Sequence, residues 1–139
     1  MYEYLEHQAD IGIRASGASL EQAFSEGAKA MFNAMADIKT IATQTSVDIS
    51  CDAPDEASLF IEWLNALLAA ADTKDLLFSK FDVKIEKKDG SLNLTARAVG
   101  EPLDKGKHKL KIEVKAATYS GLKFEEKEGK YYLTCVLDI

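Results

Sequence analysis

The stretch EHQADIGI, residues 6–13, sets a His and an Asp three residues apart between two short apolar, strand-like runs. An acid so placed either shapes a turn or acts as a ligand with partners elsewhere. The closing stretch YYLTCVLDI supplies candidates, because Asp138 is followed at once by Ile139 and its α-carboxylate. Strand alternation puts Leu133, Cys135 and Leu137 on one face, and Tyr132, Thr134, Val136 and Asp138 on the other. Chain ends fray unless tied down, so an end carrying two neighbouring carboxylates is expected to be held in place. With Asp10 beside it, three anionic groups would meet. Like charges that close raise one another's pKa unless a cation intervenes, and oxygen donors select hard ions such as Ca²⁺, Mg²⁺ or Mn²⁺. His7 would then be a ligand, or a residue that orients one. The plainer alternative is an Asx-type turn at Asp10 and a solvated Asp138. Spacing alone leaves both open.

Other groupings read more simply. In GKHKLKIEVKA, Lys107, Lys109, Lys111 and Lys115 share a strand face with Glu113 among them. Such a row is expected as a solvated face or as protection of a sheet edge, with contact to RNA phosphates or an acidic partner as the alternative. His108 has the parity of Leu110 and Ile112, which points to the edge of the core rather than to a metal. Glu101 and Asp104 in GEPLD read as a turn. Cys51 and Cys135 fall at inward strand positions and are expected as buried free thiols. There is no Gly-rich phosphate loop, nucleophile elbow or Ser/His/Asp signature, so nothing in these residues marks an enzyme.

The elements that must position these groups follow from periodicity. Residues 2–5 and 11–16 read as strands. Ser19, with Gln22 three residues later, forms a capping box opening a helix whose stripe is Leu20, Phe24, Ala28, Met31, Met35 and Ile38. Gly27 beside the stripe is expected to allow close backbone approach. Residues 45–51 alternate as a half-buried strand, and CDAPDEA opens a second helix with Pro54 in its first turn and Asp55 and Glu56 at the positive dipole end. From Leu59 to Ala71 that helix is apolar on nearly every side, which predicts a middle layer. About five strands should follow, the first pair joined at KKDG, with Leu110, Ile112 and Val114 pointing inward on one and a turn at EKEGK before the last. The expected class is α+β: two helices packed against antiparallel-rich mixed β-sheets in a layered sandwich, one domain over 1–139.

Bulk properties bound the function. A chain of 139 residues with 47% hydrophobic and 29% charged residues suits one globular domain. No apolar run approaches membrane-span length, and the N-terminus lacks the basic-then-apolar layout of a secretion signal, so no membrane association and a cytoplasmic location are expected. Residues 1–73 hold 3 basic and 12 acidic side chains (3 − 12 = −9), and residues 74–139 hold 14 and 11 (14 − 11 = +3). That is unlike a general polyanion binder and fits a cation or a basic protein partner.

Taken in order, HQADIGIRASGASLEQAF, IEWLNALL, VGEPLD, VKAATY and the terminal LDI resemble the archease family along the whole chain. The resemblance implies the archease fold and an accessory protein, not an enzyme. Its implied partner is the RtcB-type RNA-splicing ligase, which seals tRNA exon halves with GTP and divalent metal. The family is understood to promote guanylylation of the ligase's catalytic histidine and to support multiple turnover, meeting tRNA and GTP only indirectly, through the ligase. It further implies a metal site at Asp10, Asp138 and Ile139 with His7 adjoining, Ca²⁺ being the first choice and Mg²⁺ or Mn²⁺ alternatives. Lys115 and Tyr119 match a family segment that would touch the partner or brace the site. Gln8 stands where Thr is commonest, a neutral change in a turn, and Ser120 where many members carry His, which removes an imidazole there. Two other readings remain: a chaperone-like or RNA-binding modulator of tRNA-processing proteins, and a metal-dependent hydrolase, for which no separate general base is in sight.

Overall fold

The computed structural model describes residues 1–5 and 10–139. The order is β1 (Tyr2–Leu5), β2 (Ile11–Gly17), α1 (Leu20–Met35), β3 (Thr45–Ala53), α2 (Glu56–Lys74), β4 (Leu76–Lys88), β5 (Ser91–Pro102), β6 (Ala116–Lys127) and β7 (Lys130–Asp138), with a short 3₁₀ turn at Ile38–Thr40. One sheet has the order β1-β2-β7-β6 and the other β3-β5-β4. All their described pairings are antiparallel, as the expected α+β class with antiparallel-rich sheets requires.

Each helix touches strands of both sheets. Among the described residues no strand of one sheet approaches a strand of the other, so α1 and α2 form the central layer of a sheet–helix–sheet sandwich. This is the middle position that the all-round apolar character of α2 predicts. Its Leu59, Phe60, Ile61, Trp63, Leu64 and Leu67 are buried, and the Trp63 indole N–H donates to the Phe24 carbonyl of α1 at 3.0 Å. Gly27 plays its expected part: a methyl group there would fall on the Phe60 ring.

Local signals set most element boundaries. The Ser19 hydroxyl accepts from the Gln22 amide at 3.1 Å, and the Gln22 side chain accepts from the Ala18 amide at 2.7 Å. α2 begins at Glu56, two residues beyond the Pro54 that the sequence puts in its first turn. Asp55 is its N-cap, accepting from the Ser58 amide at 2.8 Å, so Pro54 precedes the helix. The β4–β5 hairpin turns at Asp89-Gly90, with φ of +53° and +78°, the paired left-handed geometry that Asp-Gly accommodates. Glu128-Gly129 repeats it between β6 and β7, at +50° and +77°.

The expected strand around 110–114 does not form, leaving four strands after α2. Leu110 makes an isolated bridge with Ala36, and the Lys111 amide donates to the Met35 carbonyl at 2.9 Å. The segment is thus pulled to the end of α1 instead of a sheet edge, and Leu110 and Ile112 are 49% and 39% exposed while Val114 is buried. The lysine row disperses with it. Lys107 binds Glu101, and Lys111 Nζ donates to the Asn33 carbonyl at 3.1 Å.

Candidate metal centre

β2, near the start of the chain, lies against β7, at its end. The last paired residues are Ile11 and Leu137. Asp10 immediately precedes one and Asp138 immediately follows the other, so these two acids stand one position outward on neighbouring strands. β7 is held from its other side as well. Ala116 of β6 pairs with Asp138, and the Lys115 amide donates to the Asp138 carbonyl at 2.8 Å. Asp138 is exposed, Asp10 and Ile139 are partly buried, and Ile139 packs against the core. His7 lies outside the described residues.

Like charges opposed on adjacent strands are destabilising, a penalty that a divalent cation held between them would lower. The donor set expected here, two aspartates and the Ile139 carboxylate, consists of oxygen alone and fits a hard ion. Among the described residues no three His, Cys, Asp or Glu side chains gather as a metal group. The expected set has two such side chains there, and any histidine donor would come from residue 7.

Lys115 enters β6 exposed, beside the Asp138 main chain. Tyr119 follows at an irregularity in the β6–β7 ladder, where pairing jumps from Thr118–Val136 to Lys123–Thr134. The extra residues here include Gly121 at φ +61°, and Tyr119 is 59% exposed. Both side chains are exposed, Lys115 just before and Tyr119 within the strand that flanks the carboxylate end.

The Glu101 region differs from its sequence reading. Glu101 lies within β5 and is buried, not in a turn, and His108 is fully buried rather than at the core's edge. The Asp104 amide donates to His108 Nδ1 at 3.0 Å, so Nε2 carries the proton and donates to Glu101 Oε2 at 2.8 Å. The Ala42 amide reaches the same oxygen at 2.7 Å, and Lys107 Nζ approaches both carboxylate oxygens. The Ala42 amide first, then Lys107 and His108, hold the Glu101 carboxyl down at about 2. With its nitrogens so occupied, His108 is a brace and not a metal ligand. It ties the turn begun by Asp104, whose side chain accepts from the Gly106 amide at 2.9 Å, to β5.

The sequence reading missed Asn65. It merely interrupts an apolar run, yet its side chain donates to the Ala117 carbonyl at 3.0 Å and accepts from the Ala117 amide at 2.8 Å. This paired contact fixes the start of β6, and so Lys115 and Asp138, onto α2. The available signal was a lone amide in the run Leu59 to Ala71, which is apolar apart from it and Glu62. Both cysteines are free, Cys135 buried as expected but Cys51 only half-buried. Burial raises the Cys51 thiol to about 11 and the Cys135 thiol to about 12, which leaves neither reactive near neutrality.

Comparison with known proteins agrees with this architecture. The model of the Archease protein family (MTH1598/TM1083) matches residues 2–139. A protein archease of Sulfurisphaera tokodaii is 41% identical over 138 residues, covering 99% of this chain and 98% of that one. One of Pyrococcus furiosus is 41% identical over 139 residues with the same coverage. The solution structure of a Methanobacterium thermoautotrophicum protein, 36% identical, superposes with a TM-score of 0.89 over 99% of this chain and 98% of that one. An archease from Thermotoga maritima, 24% identical with a TM-score of 0.55 over 100% of this chain and 98% of that one, shares the fold. By full-length family match, sequence identity and architecture alike, this chain belongs to the archease family.

Proposed function

We propose that this protein is an accessory factor of an RtcB-type RNA-splicing ligase, promoting guanylylation of the ligase's catalytic histidine and repeated turnover. Asp10, Asp138 and the Ile139 carboxylate would hold a divalent cation, Ca²⁺ or alternatively Mg²⁺ or Mn²⁺, with His7 beside them. The observation that carries the reading is the β2–β7 register, whose last pair, Ile11 and Leu137, is flanked by the first aspartate of the chain and by its last. When bound, the cation supplies charge neutralisation to the phosphates of GTP, and phosphoryl transfer is largely positioning and neutralisation. The chain's own residues provide the rest. The two aspartates and the terminal carboxylate bind, Lys115 and Tyr119 meet the ligase, and the Asn65–Ala117 bonds keep that end in register. Contact with tRNA and GTP would run through the ligase, with no catalysis by this protein itself.

The Thermotoga maritima relative is described as a possible chaperone. A chaperone-like reading would rest on the exposed Leu110 and Ile112, and would need no metal. A single-turnover guanylylation assay separates the two, run with and without this protein across Ca²⁺, Mg²⁺ and Mn²⁺. The Asp10→Ala variant is expected to keep the fold, seen as a cooperative melt, yet lose stimulation about a hundredfold, the scale on which mutations around a metal site act. Full stimulation by that variant would refute the metal assignment.

A further inference from the structure

A cleft of about 630 Å³ opens between the C-terminal half of α2, the start of β4 and the segment 110–115. Leu68, Leu76, Leu110 and Ile112 supply apolar lining, and Asp72 and Asp75 lie at its acidic side. Two observations say what kind of molecule fits.

The first is the backbone. Residues 111–115 belong to no helix or strand, yet they are bounded by the bridge at Leu110 and by the first residue of β6. Among the described residues, main-chain pairing within this stretch consists of the Lys111 amide on Met35 and the Lys115 amide on Asp138. Among the described residues no main-chain pairing engages the peptide groups of Ile112, Glu113 and Val114, which lie beside an apolar floor. That combination suits an added strand, whose main chain provides affinity while pockets for its side chains provide selectivity.

The second is charge. Asp72 and Asp75 are exposed at the carbonyl end of α2, where the helix dipole is negative. Among the described residues neither takes part in an ion pair. The facing segment carries Lys111, Lys115 and Glu113, so the acidic side of the cleft is the α2 side. This side of the cleft attracts a cation.

We infer that the cleft receives an extended peptide segment of a protein partner. Aliphatic side chains of the segment would cover Leu110 and Ile112, its main chain would pair with residues 112–114, and a Lys or Arg would meet Asp72 and Asp75. The docking does not depend on the carboxylates at Asp10 and Asp138, so it stands or falls separately from the ligase reading.

A random short-peptide library displayed on phage, panned against the immobilised full chain, tests it. Selected sequences should converge on alternating aliphatic residues near a Lys or Arg. A synthetic copy of a selected peptide should slow hydrogen exchange of the 112–114 amides. Its affinity should fall about tenfold or more in Ile112→Asp, the loss of one covered aliphatic side chain, and about threefold in Asp72→Lys. Asp10→Ala should bind it like wild type. Both altered cleft positions are exposed, so the melting temperatures of these variants should match wild type, and Asp72→Lys carries the test if Ile112→Asp does not fold. The inference is overturned by a library without enrichment, by acidic selected sequences, or by unprotected 112–114 amides. It is equally overturned by sedimentation showing a dimer that Ile112→Asp dissolves, which would make a second copy the occupant.

Discussion

Glu101 illustrates how much one buried acid can organise. Its carboxylate gathers the Ala42 amide, Lys107 and His108, tying the approach to β3 and the turn after β5 to one point. Its folded-state pKa of about 2 lies below the ordinary 4.5. The ionised side chain therefore contributes its full stabilisation above about pH 4.5, and that contribution disappears as acid carries the pH down through about 2. Glu101→Gln has no carboxylate at this position to protonate, so its unfolding free energy should decline less across that window than in wild type. Urea melts at a series of acid pH values measure the difference, and parallel declines would mean that the network contributes no differential stability.

At the scale of elements, the decisive contact is the crossing of the two central helices. Phe24 and Phe60 meet edge-on with ring centres 5.3 Å apart, and Gly27 leaves the room that the Phe60 ring occupies. Alanine at that position would gain up to about 1 kcal/mol of helix propensity. Overpacking a buried interface costs about 1–3 kcal/mol, and the ring cannot retreat because it is fully buried. Sterics should win, so Gly27→Ala is expected to lose about 1–2 kcal/mol, read from the urea midpoint. An unchanged or higher midpoint would show that the helices part freely there.

For the whole molecule, topology matters more than the charge of either half. The acidic first half and mildly basic second half do not form two sides, because strands from both are laced together: β2 with β7, and β3 with β5. Any electrostatic steering of a partner must come from local groups rather than from an acidic hemisphere. The same lacing makes the last strand indispensable. β7 lies between β2 and β6, and its Leu133, Cys135 and Leu137 are fully buried. Deleting residues 130–139 should abolish cooperative unfolding in calorimetry. Deleting residues 2–5, an edge strand whose residues are mostly exposed, should leave a cooperative transition at somewhat lower temperature. A folded protein without β7 would contradict the layered core described above.

Periodicity and capping residues determined the two helices, the first three strands, both hairpin turns and the central place of α2, because these depend on neighbours a few residues apart. The archease resemblance was also legible there, since it rests on motifs and their order. What tertiary structure alone decided was the fate of residues whose partners are distant in sequence. The 110–114 stretch alternates like a strand, but bonds to Met35 and the His108–Glu101 brace draw it to the end of α1. Asn65 looked like an interruption until its bonds to Ala117 appeared, and Glu101 looked like a turn residue until its amide, lysine and histidine donors converged. The standing of Asp10 and Asp138 just beyond the last β2–β7 pair belongs to the same class. Local sequence can propose that two carboxylates meet, but only a long-range strand register can bring them together, because nothing near either residue records which strand will lie beside it.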